Sequence, residues 1–198
     1  MEWLSPTILL CKCKVPTTII DQFFEYFSKN DHRLWEDSMI VTVSSDDGED
    51  EPIPKIDNEF RKVKISNDTK QLTRYYSMMD GLLDECVEEY IDRYTFYGEI
   101  LSQKSDYTLM RYDEGSFYKE HIGVSNAEDD DDCSHRKIAI YVFLNDSYEG
   151  GELNFIYQNI EVKPEKGDVI IFDCGALHPH ECKEVTSGTK YMICNWLS

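Results

Sequence analysis

The sequence predicts an α+β protein, with an N-terminal strand and helices supporting a β-sandwich or jelly-roll core. Three observations lead there: a helical repeat of apolar residues over 68–94, a switch to short strand-like runs from Tyr107 onward, and turn signals between those runs at roughly 8 to 12 residue intervals. At 198 residues, 41% hydrophobic and 13% aromatic, the chain suits one core rather than two large ones. Residues 1–104 read as the supporting part of a single unit and 105–198 as its core.

Residues Thr7 to Lys14 alternate like a strand, which would put Cys11 and Cys13 on one face. Val15-Pro16 breaks the run, and Thr17 or Thr18 can cap a helix to about Ser28 whose apolar stripe is Ile19, Ile20, Phe23, Phe24 and Phe27. The stretch SSDDGEDEPIPKIDN, residues 44–58, joins like charges to two prolines and reads as a solvated loop. Leu72, Tyr75, Tyr76, Met79, Leu82, Leu83, Val87, Tyr90 and Ile91 recur at three- and four-residue steps and predict a helix from about Asp68 to Tyr94. The runs YTLMRY, KIAIYVFLN, ELNFIY, NIEVKP, DVIIFD and KYMICNW then follow as strands. No internal repeat interrupts them.

Composition narrows the partners. A formal charge of −19, from 20 Lys and Arg against 39 Asp and Glu, repels nucleic-acid phosphates and anionic lipid. A peptide or small molecule, basic if the acidic surface steers it, is the expected substrate. The apolar stretch Ile8 to Cys11 is too short for a signal peptide or a membrane span, so the expected location is cytoplasmic. Seven scattered cysteines without a CxxC pair fit reduced, mostly buried thiols.

The chemistry sits in the histidines. Three of the five, His121, His178 and His180, fall at the ends of predicted strands in the C-terminal half. A non-haem Fe(II) site of the facial-triad type needs two imidazoles and a carboxylate.

Four segments between Leu109 and Trp196 resemble, in order, the motifs of the Fe(II)- and 2-oxoglutarate-dependent dioxygenases, most closely the prolyl 4-hydroxylase-like group. They are RYDEGSFYKEH, YVFLND with SYEGGELNF, VKPEKGDVIIF and HECKEVTSGTKYMICNW. The resemblance implies a double-stranded β-helix (cupin-like jelly roll), the cofactors Fe(II) and 2-oxoglutarate with ascorbate as a possible third, and oxidation of an unactivated C–H bond. It makes His121 the first metal ligand. His180, five residues before Val185 and ten before Lys190, has the family spacing for the second, which leaves His178 as a neighbouring pocket residue. By the same comparison Lys190 pairs with the distal carboxylate of 2-oxoglutarate, and Tyr112 helps to hold it. Where the family often has a tyrosine this chain has Phe143, with Tyr141 on the same face two residues earlier.

The departure is Gly123, which stands where the family carries the third ligand, an aspartate. Three readings stay open. Chloride could fill the position, as in halogenases of the family, making Gly123 the residue that decides the chemistry. Another group could complete the site of a hydroxylase, although Glu120 should face away from His121 and neither Asp113 nor the run Glu128 to Asp132 has convincing spacing. Or the domain could be a degenerate, non-catalytic binding protein. The insert NAEDDDDC, residues 126–133, reads as a solvated acidic loop that could also recruit a basic substrate.

Overall fold

The computed structural model describes residues 1–30, 35–44, 51–66, 69–124 and 132–198. In chain order its elements are β1 (Glu2–Ser5), β2 (Ile8–Cys11), α1 (Thr17–Asn30), β3 (Glu36–Asp37), β4 (Ile40–Ser44), β5 (Glu51–Lys55), β6 (Arg61–Lys62) and β7 (Lys64–Ser66). There follow α2 (Thr69–Arg93), α3 (Phe96–Ile100), β8 (Thr108–Tyr112), β9 (Phe117–His121), β10 (Ile138–Phe143), β11 (Tyr148–Gly150) and β12 (Leu153–Phe155). The chain ends through β13 (Ile160–Val162), β14 (Val169–Asp173), β15 (His180–Cys182), β16 (Val185–Gly188) and β17 (Lys190–Leu197).

Strand alternation builds two apolar layers. Every residue of β10 is buried because this strand is covered on both faces, which is why KIAIYVFLN reads as a continuous apolar run. Ile138, Ile140 and Val142 face one layer, with Leu9, Ile171, Ile193 and the helices. Ala139, Tyr141 and Phe143 face the other, with Phe172, Met192, Leu153 and Phe155. The larger sheet has the order β1-β2-β14-β10-β17-β8-β7-β3, and a five-stranded sheet, β13-β12-β15-β9-β6, lies across the second layer. The two form a double-stranded β-helix.

The helices close the first layer. Leu72, Tyr76, Met79, Leu83, Cys86 and Tyr90 are all buried, a four-three-four-three-four succession that puts one face of α2 against the sheet. Ile20 and Phe23 of α1 join the same cluster. Burial of each such side chain contributes roughly 1.5 to 3 kcal/mol relative to exposure, so the N-terminal half covers a sheet that would otherwise present an apolar face to water.

Two expectations need correction. Residues 51–55 are not loop: β5 pairs with β4, with Pro54 opposite Val41 and Pro52 opposite Val43. The two prolines share one parity, so the N–H groups at 51, 53 and 55 can serve the ladder. Cys13 is likewise not on a strand face with Cys11. Cys11 is buried at the end of β2, while Cys13 is exposed with φ of 48°. There the chain turns so that the Cys13 N–H donates to Asp168 Oδ1 at 2.8 Å, and Asp168 Oδ2 accepts from the Glu165 N–H at 3.0 Å.

Asp168 is buried and ties the turn after β2 to the turn before β14. Asp168→Ala is therefore expected to lower stability by about 2 to 3 kcal/mol, because two N–H donors lose a charged acceptor. Urea unfolding measures it, and a loss below about 0.5 kcal/mol would mean that water replaces the carboxylate at both N–H groups.

Candidate active site

The layer between the sheets holds a cavity of about 230 Å³ lined by His121, His180, Lys190, Tyr112, Tyr141 and Gly123 among others. These are the residues singled out by sequence, with one exception.

The register of β15 on β9 sets His180 directly opposite His121, with ring centroids 4.3 Å apart. His121 Nδ1 donates to the Lys119 carbonyl at 2.8 Å, and His180 Nδ1 to the His178 carbonyl at 3.0 Å. Each backbone bond fixes the tautomer and leaves Nε2 as the lone-pair nitrogen. Burial pushes the His180 pKa down to about 4. Burial, then the neighbouring His180, also holds His121 well below its ordinary value. Two neutral imidazoles with oriented Nε2 atoms are the donors a first-row divalent metal takes. Tyr118 stacks on His121 at 3.5 Å and locks the ring plane.

Lys190 opens β17 on the face it shares with Met192, Cys194 and Trp196, and is 1% exposed. Its Nζ donates to the Gly151 carbonyl at 2.7 Å and lies 3.2 Å from Cys182 Sγ. The rings of Phe143, Tyr112 and Tyr148 surround it at 5.3, 5.4 and 5.8 Å. Among the described residues no carboxylate pairs with it. A cation buried this way is costly unless an anion completes it.

Tyr112 sits opposite Lys190 in the β8–β17 register, and its hydroxyl turns toward Met110 Sδ at 3.7 Å. Tyr141 lies farther along the same face, and its hydroxyl donates to His180 Nε2 at 3.1 Å. A hydroxyl has therefore moved from the Lys190 end of the cavity, where Phe143 stands, to the imidazole end.

His178 is the exception. It is buried but does not line the cavity; its Nε2 is 2.6 Å from Thr7 Oγ1 and its Nδ1 is 3.4 Å from Asp173 Oδ1. Asp173 also takes the Tyr97 hydroxyl and the Gly175 N–H. Burial would raise the Asp173 pKa, but these donors, His178 first, outweigh it and hold the carboxyl below its ordinary value. His178 thus pins the turn before β15 to the N-terminal segment, and only its carbonyl serves the site.

Gly123 lies at the cavity edge, where its N–H donates to the Cys174 carbonyl at 3.0 Å. A Cβ at this position would come within 2.9 Å of both Cβ and Sγ of Cys174. Close packing against Cys174 thus accounts for glycine here. Among the described residues, the carboxylates near in sequence do not fill the gap: Glu120 is exposed, and Asp113 is engaged by Arg111 and Thr189. Glu128 to Asp131, and the acidic insert from 126 to 131 with them, lie outside the described residues. Among the described residues, no group of three His, Cys, Asp or Glu could hold a metal ion.

Comparison with known proteins gives a family resemblance and a fold. Residues 107–198 match the 2OG-Fe(II) oxygenase superfamily. The chain is 30% identical over 142 residues to the probable prolyl 4-hydroxylase 9 of Arabidopsis thaliana, across 59% of this chain and 48% of that protein. Over residues 107–198 the chain is similar to the 2OG-Fe(II) oxygenase superfamily, and within it to the prolyl 4-hydroxylase-like group. The chain spans less than half the length of the Arabidopsis relative. The fold extends further: a prolyl-4-hydroxylase structure from Pseudomonas putida superposes with a TM-score of 0.66 at 17% identity, covering 96% of this chain and 91% of that one. A Trichoplax adhaerens prolyl hydroxylase, in complex with a hypoxia inducible factor peptide fragment, gives 0.65 at 16% identity, covering 98% and 84%.

Sequence reading missed part of the lining of this cavity. Arg61, Arg136, Tyr118 and Trp196 all reach it. Arg136, a cation two residues before a buried strand, was a usable signal. Arg61 carried none, because its strand has two residues and no motif.

The depressed histidine pKa gives the metal-free protein a pH signature. Between the unfolded value of about 6.5 and the folded value of about 4, the unfolded chain binds the extra proton, so stability falls as pH drops through this window. The difference for His180 corresponds to about 3 kcal/mol by pH 4. Urea unfolding from pH 7 to 4 is expected to show a steeper loss in the metal-free parent than in His180→Gln, and equal slopes would overturn the assignment.

Proposed function

We propose that this chain is an Fe(II)- and 2-oxoglutarate-dependent oxygenase that hydroxylates an unactivated C–H bond of a peptide or small molecule. The observation that carries the reading is the pair of Nε2 lone pairs, from His121 and His180, in one cavity with a buried Lys190 that has no carboxylate partner among the described residues. The first fits ferrous iron, and the second fits the distal carboxylate of 2-oxoglutarate. Together with oxygen, those two supply the oxidising equivalents for C–H cleavage.

The chain's own residues do the rest. Lys119 and His178 carbonyls aim the imidazoles, and Gly151 aims the Lys190 ammonium. Tyr112, Phe143 and Tyr148 keep water from the Lys190 end, where a dry site strengthens its hold on an anion. When His180 Nε2 serves a metal, the Tyr141 hydroxyl must turn to another acceptor in the cavity. A peptide substrate is supported by the peptide fragment held by the Trichoplax relative.

A halogenase is the second reading, favoured by the lack of a third carboxylate among the described residues. It ranks second because contact with Cys174 already explains Gly123 without a halide.

Two tests follow. Anaerobic addition of Fe(II) and 2-oxoglutarate is expected to produce the charge-transfer band of the chelate, and Lys190→Met should weaken 2-oxoglutarate roughly 30-fold while sparing Fe(II); no band would sink the oxygenase reading. Separately, Gly123→Asp is expected to cost about 1 to 3 kcal/mol by overpacking, with part recovered when Cys174→Gly is added. Succinate release by the unmodified chain should be indifferent to chloride, and dependence on it would move the halogenase reading to first place.

A further inference from the structure

Lys190 is short of donors for the task that the oxygenase reading gives it. Of the three N–H bonds on its ammonium, one goes to the Gly151 carbonyl at 2.7 Å and one toward Cys182 Sγ at 3.2 Å. One is left for a carboxylate whose two oxygens together accept about four hydrogen bonds. The aromatic residues around the ammonium add none. Phe143 has no hydroxyl, the Tyr112 hydroxyl turns to Met110 Sδ, and Tyr148 presents its ring to Lys190 without lining the cavity.

Arg61 has the opposite surplus. It lines the cavity, its Nε is buried without an acceptor, and its one hydrogen bond among the described residues runs from Nη1 to the Met39 carbonyl at 3.3 Å. The edge formed by Nε and Nη2, with which a guanidinium takes a carboxylate in two parallel bonds, is therefore unspent. Among the described residues that line the cavity there is no Asp or Glu to take it.

Strand register carries Arg61 to the Lys190 end. Arg61 pairs with Tyr118 across β6 and β9, and Tyr118 with Cys182 across β9 and β15, so the three side chains share one row and one face. Cys182 is the residue that touches Lys190. Two strand spacings, roughly 10 Å, separate the backbone of Arg61 from that of Cys182, a gap that a long side chain from either side can close around one carboxylate. A bulge in the β9–β15 pairing turns Tyr118 and His121 to the same face, where their rings stack at 3.5 Å and 11°. With His121 on one side of the Tyr118 ring, the Arg61 guanidinium, 4.4 Å from the ring centroid, takes the other. Tyr118 thus stands between Arg61 and the imidazole pair, which assigns Arg61 to the distal part of the cosubstrate rather than to the metal.

We infer that Arg61 is a second anchor for the cosubstrate, taking the same distal carboxylate as Lys190. The inference rests on the oxygenase reading, and its test separates the two. It makes selection of a dicarboxylate the work of two cations from two sheets, one of them outside residues 107–198. The N-terminal half then supplies a binding residue as well as a cover for the sheet.

The full chain, loaded anaerobically with Fe(II), is titrated calorimetrically with 2-oxoglutarate and with 2-oxopentanoate, which has the same chain length and no distal carboxylate. Arg61→Gln is expected to weaken 2-oxoglutarate roughly tenfold or more and to leave 2-oxopentanoate unchanged. Arg61→Lys should recover part of the loss. In the double variant with Lys190→Met the two losses should fall short of adding, because both residues hold one carboxylate. Should Arg61→Gln not fold, Lys190→Met alone carries a second expectation: with Arg61 intact it should still bind 2-oxoglutarate more tightly than 2-oxopentanoate. Unchanged 2-oxoglutarate affinity in Arg61→Gln, or no remaining preference in Lys190→Met, would overturn the inference. So would an equal loss for both acids, which would place Arg61 behind Tyr118 as a support for His121. These outcomes leave the oxygenase reading standing as long as the parent shows the charge-transfer band. A parent that gives no band and binds neither acid removes that reading, and the inference with it.

Discussion

A buried ammonium with no carboxylate partner among the described residues organises this structure. Lys190 cannot leave the interior, because β17 is held between β10 and β8 and its period-two alternation puts residue 190 on the same face as Met192, Cys194 and Trp196. A one-residue slip would bring Tyr191 inward and send Lys190 toward the helices. The register that packs the core therefore also aims the cation. What the protein provides inside is a carbonyl, a thiol and three aromatic rings, which orient an ammonium without neutralising it.

The imidazole pair depends on the same logic in the opposite sheet. Pairing of β15 with β9 sets His180 across from His121, and each ring is turned by a carbonyl two residues earlier in its own chain segment. Because both bonds are local, the tautomers do not depend on distant contacts. The position of the segment does. Thr7, His178, Asp173 and Tyr97 join the N-terminal strand pair, the end of β14, the turn before β15 and α3 in one polar cluster, and in this way the N-terminal half holds a ligand it does not touch.

Legibility in the sequence followed the range of the interaction. Strand alternation, the α2 stripe and the spacing from His180 to Lys190 are local patterns, and they located the core and the His121, His180 and Lys190 side chains of the cavity. His180 was separable from His178 by spacing, but the other role of His178 was hidden because its partner, Thr7, is 171 positions away. The same limit applied to Gly123. Its closest neighbour is Cys174, and an absent side chain reads as a missing ligand until the packing against it is seen. Arg61 lies on a two-residue strand paired to β9, far too short to leave a periodic signal.

Charge shows the difference between composition and site most clearly. A total of −19 suggests attraction for cations, yet the acidic groups are largely on the surface, where their fields decay within about 8 Å at physiological salt. Lys190 stands among apolar and aromatic side chains, where water and salt screen it far less. At the distances over which a bound molecule is recognised, this nearby ammonium counts for more than the screened surface charges that dominate the total. The acidic exterior can still govern encounter and solubility, while selection inside the cavity follows its own sign. Gly123 adds to this imbalance: where an aspartate would place a negative charge beside the imidazoles, a glycine packed on Cys174 places none, and the demand for an anion passes to whatever binds.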